Sequence, residues 1–243
     1  MRVAIFTTCL VDAVTPQVGR ATVRLLRRLG VEPELPGTQT CCGQMHVNTG
    51  YPGLALPLVR NYVATFDGFD AVVVPSGSCT GSIRHQHAAV AREHGDDVLA
   101  ARAEAVASKT YELSEFLVDV LGRVDVGAYY PHTVTYHPTC HSLRVLRVGE
   151  RPVQLLRQVE ALELVELPGA DSCCGFGGTF AVKNSAVSSA MLADKITAIA
   201  TTGADICSAS DSSCLMHIGG GLSRNDGARV RPVHLAEILA ATR

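Results

Sequence analysis

Apolar residues along this chain form short continuous runs that alternate with longer stretches of helical spacing. A run such as Ala71–Val74 predicts a buried strand, because a strand covered on both faces shows no polar alternation. The predicted strands are residues 2–8, 70–75, 132–137, 162–167 and 204–209. The predicted helices are residues 16–29, 52–66, 80–94, 96–107, 112–121, 151–159, 179–201 and 233–241. This alternation predicts an α/β fold with mostly parallel sheets and right-handed crossovers.

The composition is typical of a globular chain with a substantial core. The chain has 243 residues, 47% of them apolar, and a formal net charge of −2. The apolar fraction excludes a disordered chain, and the lack of a basic stripe makes nucleic acid a poor partner. No apolar run reaches about 18 residues, so we expect no membrane span. The apolar start is short and reads as a strand instead of a signal peptide, so we expect a cytoplasmic protein.

Eight of the nine cysteines form one series that is written twice. Each series has a single cysteine, an adjacent pair followed by glycine, and a fourth cysteine. The two series are Cys9, Cys41, Cys42 and Cys79, then Cys140, Cys173, Cys174 and Cys214. Glu-Leu-Pro-Gly precedes both pairs, at residues 34–37 and 166–169. The chain is therefore predicted to be two homologous cysteine-rich halves, residues 1–127 and 128–243.

Each series falls where predicted strands end. The carboxyl ends of parallel strands share one sheet edge, so the four thiols of a half are expected to converge there. Helix dipoles and loop N–H groups at that edge offset the negative charge of thiolates. Zinc sites space their cysteines so that both point inward, whereas a cluster accepts an adjacent pair at different irons. The residues favour an iron–sulfur cluster and leave zinc and metal-free thiol chemistry open.

The paired Cys-Cys-Gly halves are similar to the cysteine-rich (CCG) domain family. The cysteine-rich subunit of heterodisulfide reductase and the iron–sulfur subunit of glycolate oxidase share this domain. Short stand-alone members that serve lactate utilization resemble the chain more closely still. The stretches that carry the resemblance span nearly the whole chain: residues 6–12, 41–44, 75–79, 109–113, 167–169, 173–180 and 214–220.

The resemblance implies an iron–sulfur oxidoreductase subunit that takes part in the oxidation of L-lactate to pyruvate within a multi-subunit complex. The implied partners are a ferredoxin-type iron–sulfur subunit and a third lactate-utilization subunit, which together handle the 2-hydroxy acid. The implied cofactor is one iron–sulfur cluster per half, [4Fe–4S] by ligand count, held by the eight repeated cysteines. No catalytic residue is assigned. A thiol–disulfide reductase of heterodisulfide type and a metal-stabilised redox sensor or scaffold remain the alternative functions.

The chain departs from the heterodisulfide reductase pattern at one position in each half. That pattern closes each half with Cys-x-x-Cys, whereas here the earlier position is Ser76 or Asp211. This departure argues against the non-cubane cluster of that family, and we expect both side chains to cap helices or form hydrogen bonds. The ninth cysteine, Cys207, aligns with Val72 inside a strand and is expected in the core.

Histidines near the motifs have weaker signals. His137 and His141 flank Cys140 and are expected at the surface or in supporting hydrogen bonds. His85, His87 and His94 lie on a polar helical segment, and we expect all three to be solvated.

Overall fold

The computed structural model describes residues 1–224 and 229–243. They form two compact units, Met1–Phe116 and Leu117–Arg243. Each unit contains one four-stranded sheet in which every strand is parallel to its neighbours. The predicted α/β class and the internal repeat are therefore confirmed. The boundary of the sequence repeat, between residues 127 and 128, stays a prediction.

The first unit is built around a sheet with the strand order β2-β1-β3-β4. Its strands are β1 (Val3–Ile5), β2 (Pro33–Glu34), β3 (Ala71–Val74) and β4 (Thr110–Glu112). Its helices are α1 (Cys9–Ala13), α2 (Pro16–Arg28), α3 (Gln44–Asn48), α4 (Pro52–Phe66), α5 (Gly77–His85), α6 (His87–Glu93), α7 (Asp97–Ala107) and α8 (Leu113–Glu115). A π-helical segment, Phe116–Val120, follows α8.

The core of the first unit lies between the sheet and α4. All four residues of β3 are buried, as expected for a central parallel strand. The ring of Phe6 meets Tyr62 and Phe66 of α4 edge-on, with centroids 5.2 and 5.7 Å apart. Such edge-to-face contacts fix the distance between α4 and the sheet, because aromatic rings pack at a preferred centroid separation.

The second unit repeats this plan with the strand order β6-β5-β7-β8. Its strands are β5 (Thr133–His137), β6 (Glu163–Val165), β7 (Ile206–Ala209) and β8 (Arg231–His234). Its helices are α9 (Arg151–Arg157), α10 (Phe180–Lys183), α11 (Ser185–Thr201), α12 (Ser212–Leu222) and α13 (Leu235–Ala240), with a π-helical segment at Ser142–Leu146. Throughout the described ranges, every helix is too short or too polar to cross a bilayer.

Two of the predicted long helices are in fact broken. The predicted helix 80–94 begins earlier, at Gly77, and divides into α5 and α6 at Gln86, whose side chain bonds Ser82 and Asn48. The predicted helix 179–201 divides at Asn184, whose ψ of 48° lies outside the helical range. Asparagine is a poor residue for a helix interior, because its amide competes for nearby backbone groups.

The prediction also missed short elements at the sheet margins and near the cysteines. The strands β2, β4 and β8 are edge strands of two to four residues, too short to show a hydrophobic period. Residues 233–234 belong to β8, so the prediction of a helix from 233 was wrong there. The helices α1, α3 and α12 were not predicted either.

Candidate metal centre

In the first unit, four cysteines lie at the carboxyl edge of the sheet. Cys9 opens α1 just after β1, and Cys79 lies in the first turn of α5 just after β3. Cys41 and Cys42 lie in the loop that leads into α3. Because β1 and β3 are parallel neighbours, their carboxyl ends bring these segments together, as the sequence predicted.

The sulfur atoms of the first unit form two close pairs. The Sγ atoms of Cys9 and Cys41 are 3.7 Å apart, and those of Cys42 and Cys79 are 3.4 Å apart. The backbone N–H of Gly43 donates to the Sγ of Cys41 across 3.4 Å. Four sulfur atoms and a backbone donor thus meet within one small site. Hydrogen bonds of this kind stabilise negative charge on sulfur and tune the potential of a metal–sulfur group.

These contacts favour the ionised, thiolate form of one cysteine in the first unit. Hydrogen bonds from the thiols of Cys42 and Cys9 lower the pKa of Cys41, and the N–H of Gly43 acts in the same direction. The hydrogen bond to Cys41 and burial raise the pKa of Cys9. Hydrogen bonds to Cys41 and Cys79, together with burial, raise the pKa of Cys42. The thiolate is the form that binds metal, and these contacts favour it at Cys41.

The second unit repeats the arrangement. Cys140 follows β5, Cys173 and Cys174 lie in the loop before α10, and Cys214 lies in the first turn of α12. The thiol of Cys140 bonds Cys173, and that of Cys174 bonds Cys214. The N–H of Gly175 donates to Cys173 across 3.3 Å. Hydrogen bonds from Cys140 and then Cys174 lower the pKa of Cys173, while the pKa values of those two donors are raised.

The glycine after each cysteine pair is required by the backbone. Gly43 has a φ of +83° and Gly175 a φ of +91°, in the region that only glycine enters readily. A Cβ at Gly43 would lie 3.2 Å from the Cβ of Ala55, and one at Gly175 would lie 2.5 Å from the carbonyl oxygen of Ser188. The turn therefore aims its N–H at sulfur while the loop lies directly against a helix.

The ninth cysteine stands apart from both sets. Cys207 is fully buried in β7 and belongs to the apolar core of the second unit, as predicted. Burial raises the pKa of its thiol to about 12, so it is protonated and unreactive at neutral pH.

The residues that replace the expected fifth cysteines form hydrogen bonds. Ser76 caps α5, and its Oγ accepts from the N–H of Cys79 across 3.2 Å. Asp211 directly precedes α12 and accepts from the hydroxyl of Thr139 across 3.0 Å. Both side chains are almost fully buried beside the fourth cysteine of their unit. The hydrogen-bonding and capping roles predicted for them agree with these contacts.

The prediction for His87 was wrong. His85 and His94 are exposed as expected, but His87 is only 2% exposed. Its Nε2 contacts the carbonyl oxygen of Cys42, and its ring meets Tyr62 edge-on at 5.2 Å. The signal was available, because His87 lies three and four positions before two residues that α6 buries, Val90 and Ala91.

His137 is also buried, so the surface position expected for it was wrong. It lies beside the sulfur atoms of the second unit. One of its ring nitrogens lies within 4.8 Å of the sulfur atoms of Cys174 and Cys214, which lie within the same distance of each other. Burial, and then the charge of Lys195, lower the pKa of His137 to about 4. The imidazole is therefore neutral at physiological pH.

The two sets of four thiols fit a metal–sulfur group by their chemistry. All eight are free thiols. In each set the second cysteine of the pair is buried and the other three are at least partly exposed, so three of the four thiols are accessible from solvent. Four cysteine thiolates are the usual ligand set of a cubane iron–sulfur cluster.

Comparison with known proteins agrees with the repeat. A family model described as a cysteine-rich domain, CCG, matches residues 3–84 and again residues 134–219. Three proteins named lactate utilization protein A are similar over 98% of this chain and 99% of their own length. They come from Bacillus pumilus strain SAFR-032 (44% identical), Bacillus velezensis (45%) and Bacillus subtilis strain 168 (44%). The resemblance inferred from the cysteine motifs is confirmed.

Proposed function

Because this chain belongs to the lactate utilization protein A family of CCG-domain proteins, we propose that it is an iron–sulfur oxidoreductase subunit in the oxidation of L-lactate to pyruvate. The observation that supports this most directly is the set of four thiols at one sheet edge, present in both units with the same pairing of sulfur atoms. A set of four thiols that recurs at the same sheet edge of both units is difficult to explain by core packing alone.

The repeated cysteines would hold one cluster per unit. The ligands are Cys9, Cys41, Cys42 and Cys79 in the first unit and Cys140, Cys173, Cys174 and Cys214 in the second. Four thiolates suit a [4Fe–4S] cluster, which accepts and returns single electrons when bound. The N–H groups of Gly43 and Gly175 donate to sulfur and stabilise its negative charge. The buried second cysteine of each pair anchors the inner side of the site.

The reaction explains why such a subunit acts with partners. A 2-hydroxy acid loses two electrons and two protons when it becomes a 2-keto acid, whereas iron–sulfur clusters transfer one electron at a time. We therefore assign this chain to a cytoplasmic complex with a ferredoxin-type iron–sulfur subunit and a third lactate-utilization subunit. Its own role is to receive or pass on electrons through cysteine-bound centres.

A second candidate function is thiol–disulfide exchange. The observation that favours it is the thiolate-prone Cys41, whose sulfur lies 3.7 Å from that of Cys9. Joining these two thiols in a disulfide would release two electrons and two protons to an oxidised substrate disulfide. A metal-stabilised sensor or scaffold is the third candidate, and a single zinc ion in each unit would support it.

Anaerobic purification separates these functions. The proposal predicts iron and acid-labile sulfide in similar amounts, together with broad visible absorption. That absorption should bleach when L-lactate is added to the chain with its two partner subunits, but not to the chain alone. Stoichiometric zinc without sulfide would support the scaffold instead. Metal-free protein in which Cys41 and Cys173 are alkylated fastest would support thiol–disulfide exchange and contradict the proposal.

A further inference from the structure

The two units differ in one residue at the carboxyl end of β1 and β5, the strands that precede the first cysteine of each sulfur site. Val3 pairs with Ala71 in the first unit, and Val134 pairs with Ile206 in the second, so the two sheets share one register. Counted from these valines, the position of Phe6 corresponds to that of His137. Phe6 lies in the same buried apolar cluster as Cys42, and Cys41 and Cys79 pack against that cluster. The second unit has an imidazole in that place.

The imidazole of His137 has unmet hydrogen-bonding capacity. The side chain is 1% exposed, and neither Nδ1 nor Nε2 has a hydrogen-bond partner within the described structure. A neutral imidazole has one donor and one acceptor, and each buried group left unpaired destabilises the fold. A buried side chain with this deficit points to a ligand that completes it.

The sulfur atoms beside His137 suit a metal as that ligand. A ring nitrogen and the Sγ atoms of Cys174 and Cys214 all lie within 4.8 Å of one another. Metal–sulfur bonds of about 2.3 Å and metal–nitrogen bonds of about 2.0 Å place neighbouring ligand atoms at roughly 3.5–3.8 Å around a tetrahedral ion. Shifts on the order of 1 Å or less would therefore complete such a site.

We infer that His137 joins Cys174 and Cys214 in a mixed nitrogen–sulfur ligand set. The imidazole takes the place of one of the two other thiolates assigned above to the second unit, so that this metal centre has an imidazole ligand that the first unit lacks. This inference deepens the proposed function and rests on it for the identity of the physiological metal. The two centres are then chemically different. An imidazole in place of a thiolate removes one negative charge, which raises the reduction potential of an iron–sulfur centre.

A buried cation lies in the same part of the second unit. Lys195 of α11 is 2% exposed, and its Nζ donates to the carbonyl oxygen of Gly169 across 2.8 Å. Its charge interacts favourably with the thiolate form of Cys174. A mixed ligand set beside this ammonium carries less net negative charge than the four-thiol set of the first unit.

The test uses Co²⁺ as the probe on metal-free, reduced protein under anaerobic conditions. Four proteins are compared: the wild type, His137→Phe, and two control variants. The controls are His141→Phe, next to Cys140, and His217→Phe, on α12 three residues after Cys214. X-ray absorption of the cobalt-loaded wild type should show nitrogen as well as sulfur in the first coordination shell. His137→Phe, which installs the residue of the first unit, should lose that nitrogen and bind one of two cobalt ions at least about 10-fold more weakly. Both controls should match the wild type.

The outcomes separate this inference from the proposed function. A sulfur-only shell in the wild type overturns the inference even if His137→Phe fails to fold. So does a His137→Phe variant that keeps its nitrogen and its affinity. Protein that retains no iron or sulfide, yet shows the His137-dependent nitrogen with cobalt, overturns the proposed function and supports the inference. Protein that retains iron in both units but shows sulfur alone around cobalt supports the proposed function and overturns the inference.

Discussion

The Nε2 atom of His87 lies 2.8 Å from the carbonyl oxygen of Cys42. A carbonyl oxygen can only accept a hydrogen bond, so Nε2 carries the proton and donates it. Because burial lowers the pKa of His87 to about 4, the ring is neutral at physiological pH. Helix α6 therefore holds the backbone of the first cysteine pair in place through one buried hydrogen bond.

Replacing this histidine should destabilise the first unit. His87→Leu leaves the Cys42 carbonyl without its donor, and an unsatisfied buried polar group costs about 1–3 kcal/mol. The measurement is urea unfolding of the metal-free protein. The matched control is His85→Ala on the neighbouring helix α5, where the side chain is exposed and the change should stay within about 0.5 kcal/mol. Equal stability of the two variants would contradict this role of His87.

The stability of the first unit should also depend on pH through Glu112. This carboxyl is 1% exposed at the end of β4, and burial, with Glu115 nearby, raises its pKa to about 7. The hydrogen bond from Ser114 opposes that shift, and Arg84 pairs with Glu115 across 2.9 Å. In the unfolded chain the carboxyl ionises near its ordinary pKa of 4.5. Between the two values the folded state binds more protons, so the free energy of unfolding falls as pH rises.

Glu112→Gln should remove that dependence. The amide keeps the acceptor oxygen but cannot ionise, so the variant should gain up to roughly 3 kcal/mol over the wild type as pH rises from about 5 to about 8. Urea unfolding of both proteins at the two pH values gives this difference directly. Identical pH dependence of the two proteins would mean that Glu112 is ionised in the fold.

The sequence predicted the features of this protein that repeat. Buried strands such as Ala71–Val74 are continuous apolar runs, and the strand-ending positions of the cysteines follow from parallel topology. The doubled Cys-Cys-Gly motif therefore predicts where both sulfur sites lie. The prediction of core burial for Cys207 needed only its alignment with Val72.

Features that depend on tertiary contacts could not be predicted from the sequence pattern. The edge strand β2 has only two residues, so it has no period to detect. His137 and Lys195 of α11, a residue distant in sequence, are both buried, and the charge of Lys195 acts on the His137 ring. Histidine is a polar residue, so the sequence predicts a solvent-exposed side chain. Only the fold shows that His137 is buried.

The two motif glycines should differ in their tolerance of alanine. Both have positive φ, which costs alanine about 1–2 kcal/mol. At Gly175 the added Cβ also collides with the Ser188 carbonyl oxygen at 2.5 Å, whereas at Gly43 its shortest contact is with the Ala55 methyl at 3.2 Å. Gly175→Ala should therefore destabilise the protein more than Gly43→Ala in thermal unfolding.

A third glycine supplies the control for this comparison. Gly220 in α12 has open space at its Cβ position and an ordinary helical backbone. Gly220→Ala should be neutral or slightly stabilising, because alanine favours the helix. A larger loss of thermal stability for Gly43→Ala than for Gly175→Ala would contradict the close packing of the loop at Gly175.

Cys207 should be dispensable for metal binding. Cys207→Ala removes a buried sulfur atom from β7 and should cost about 1–2 kcal/mol of stability through the cavity it leaves. Iron and sulfide content should match the wild type after anaerobic purification. Loss of one cluster's iron in this variant would mean that the ligand set of the second unit is assigned wrongly.

The most direct test of the central proposal is the iron and acid-labile sulfide content of Cys42→Ser and Cys174→Ser, measured anaerobically beside the wild type and Cys207→Ala. Serine is nearly isosteric with cysteine but is a hard, poorly ionised ligand for iron. Each serine variant should lose about one cluster, roughly four irons, while the Cys207→Ala control keeps both. Lactate-dependent electron flow with the partner subunits should fall in both serine variants. Unchanged iron in both variants together with lost electron flow would contradict the proposal and show that the cysteines act as thiols.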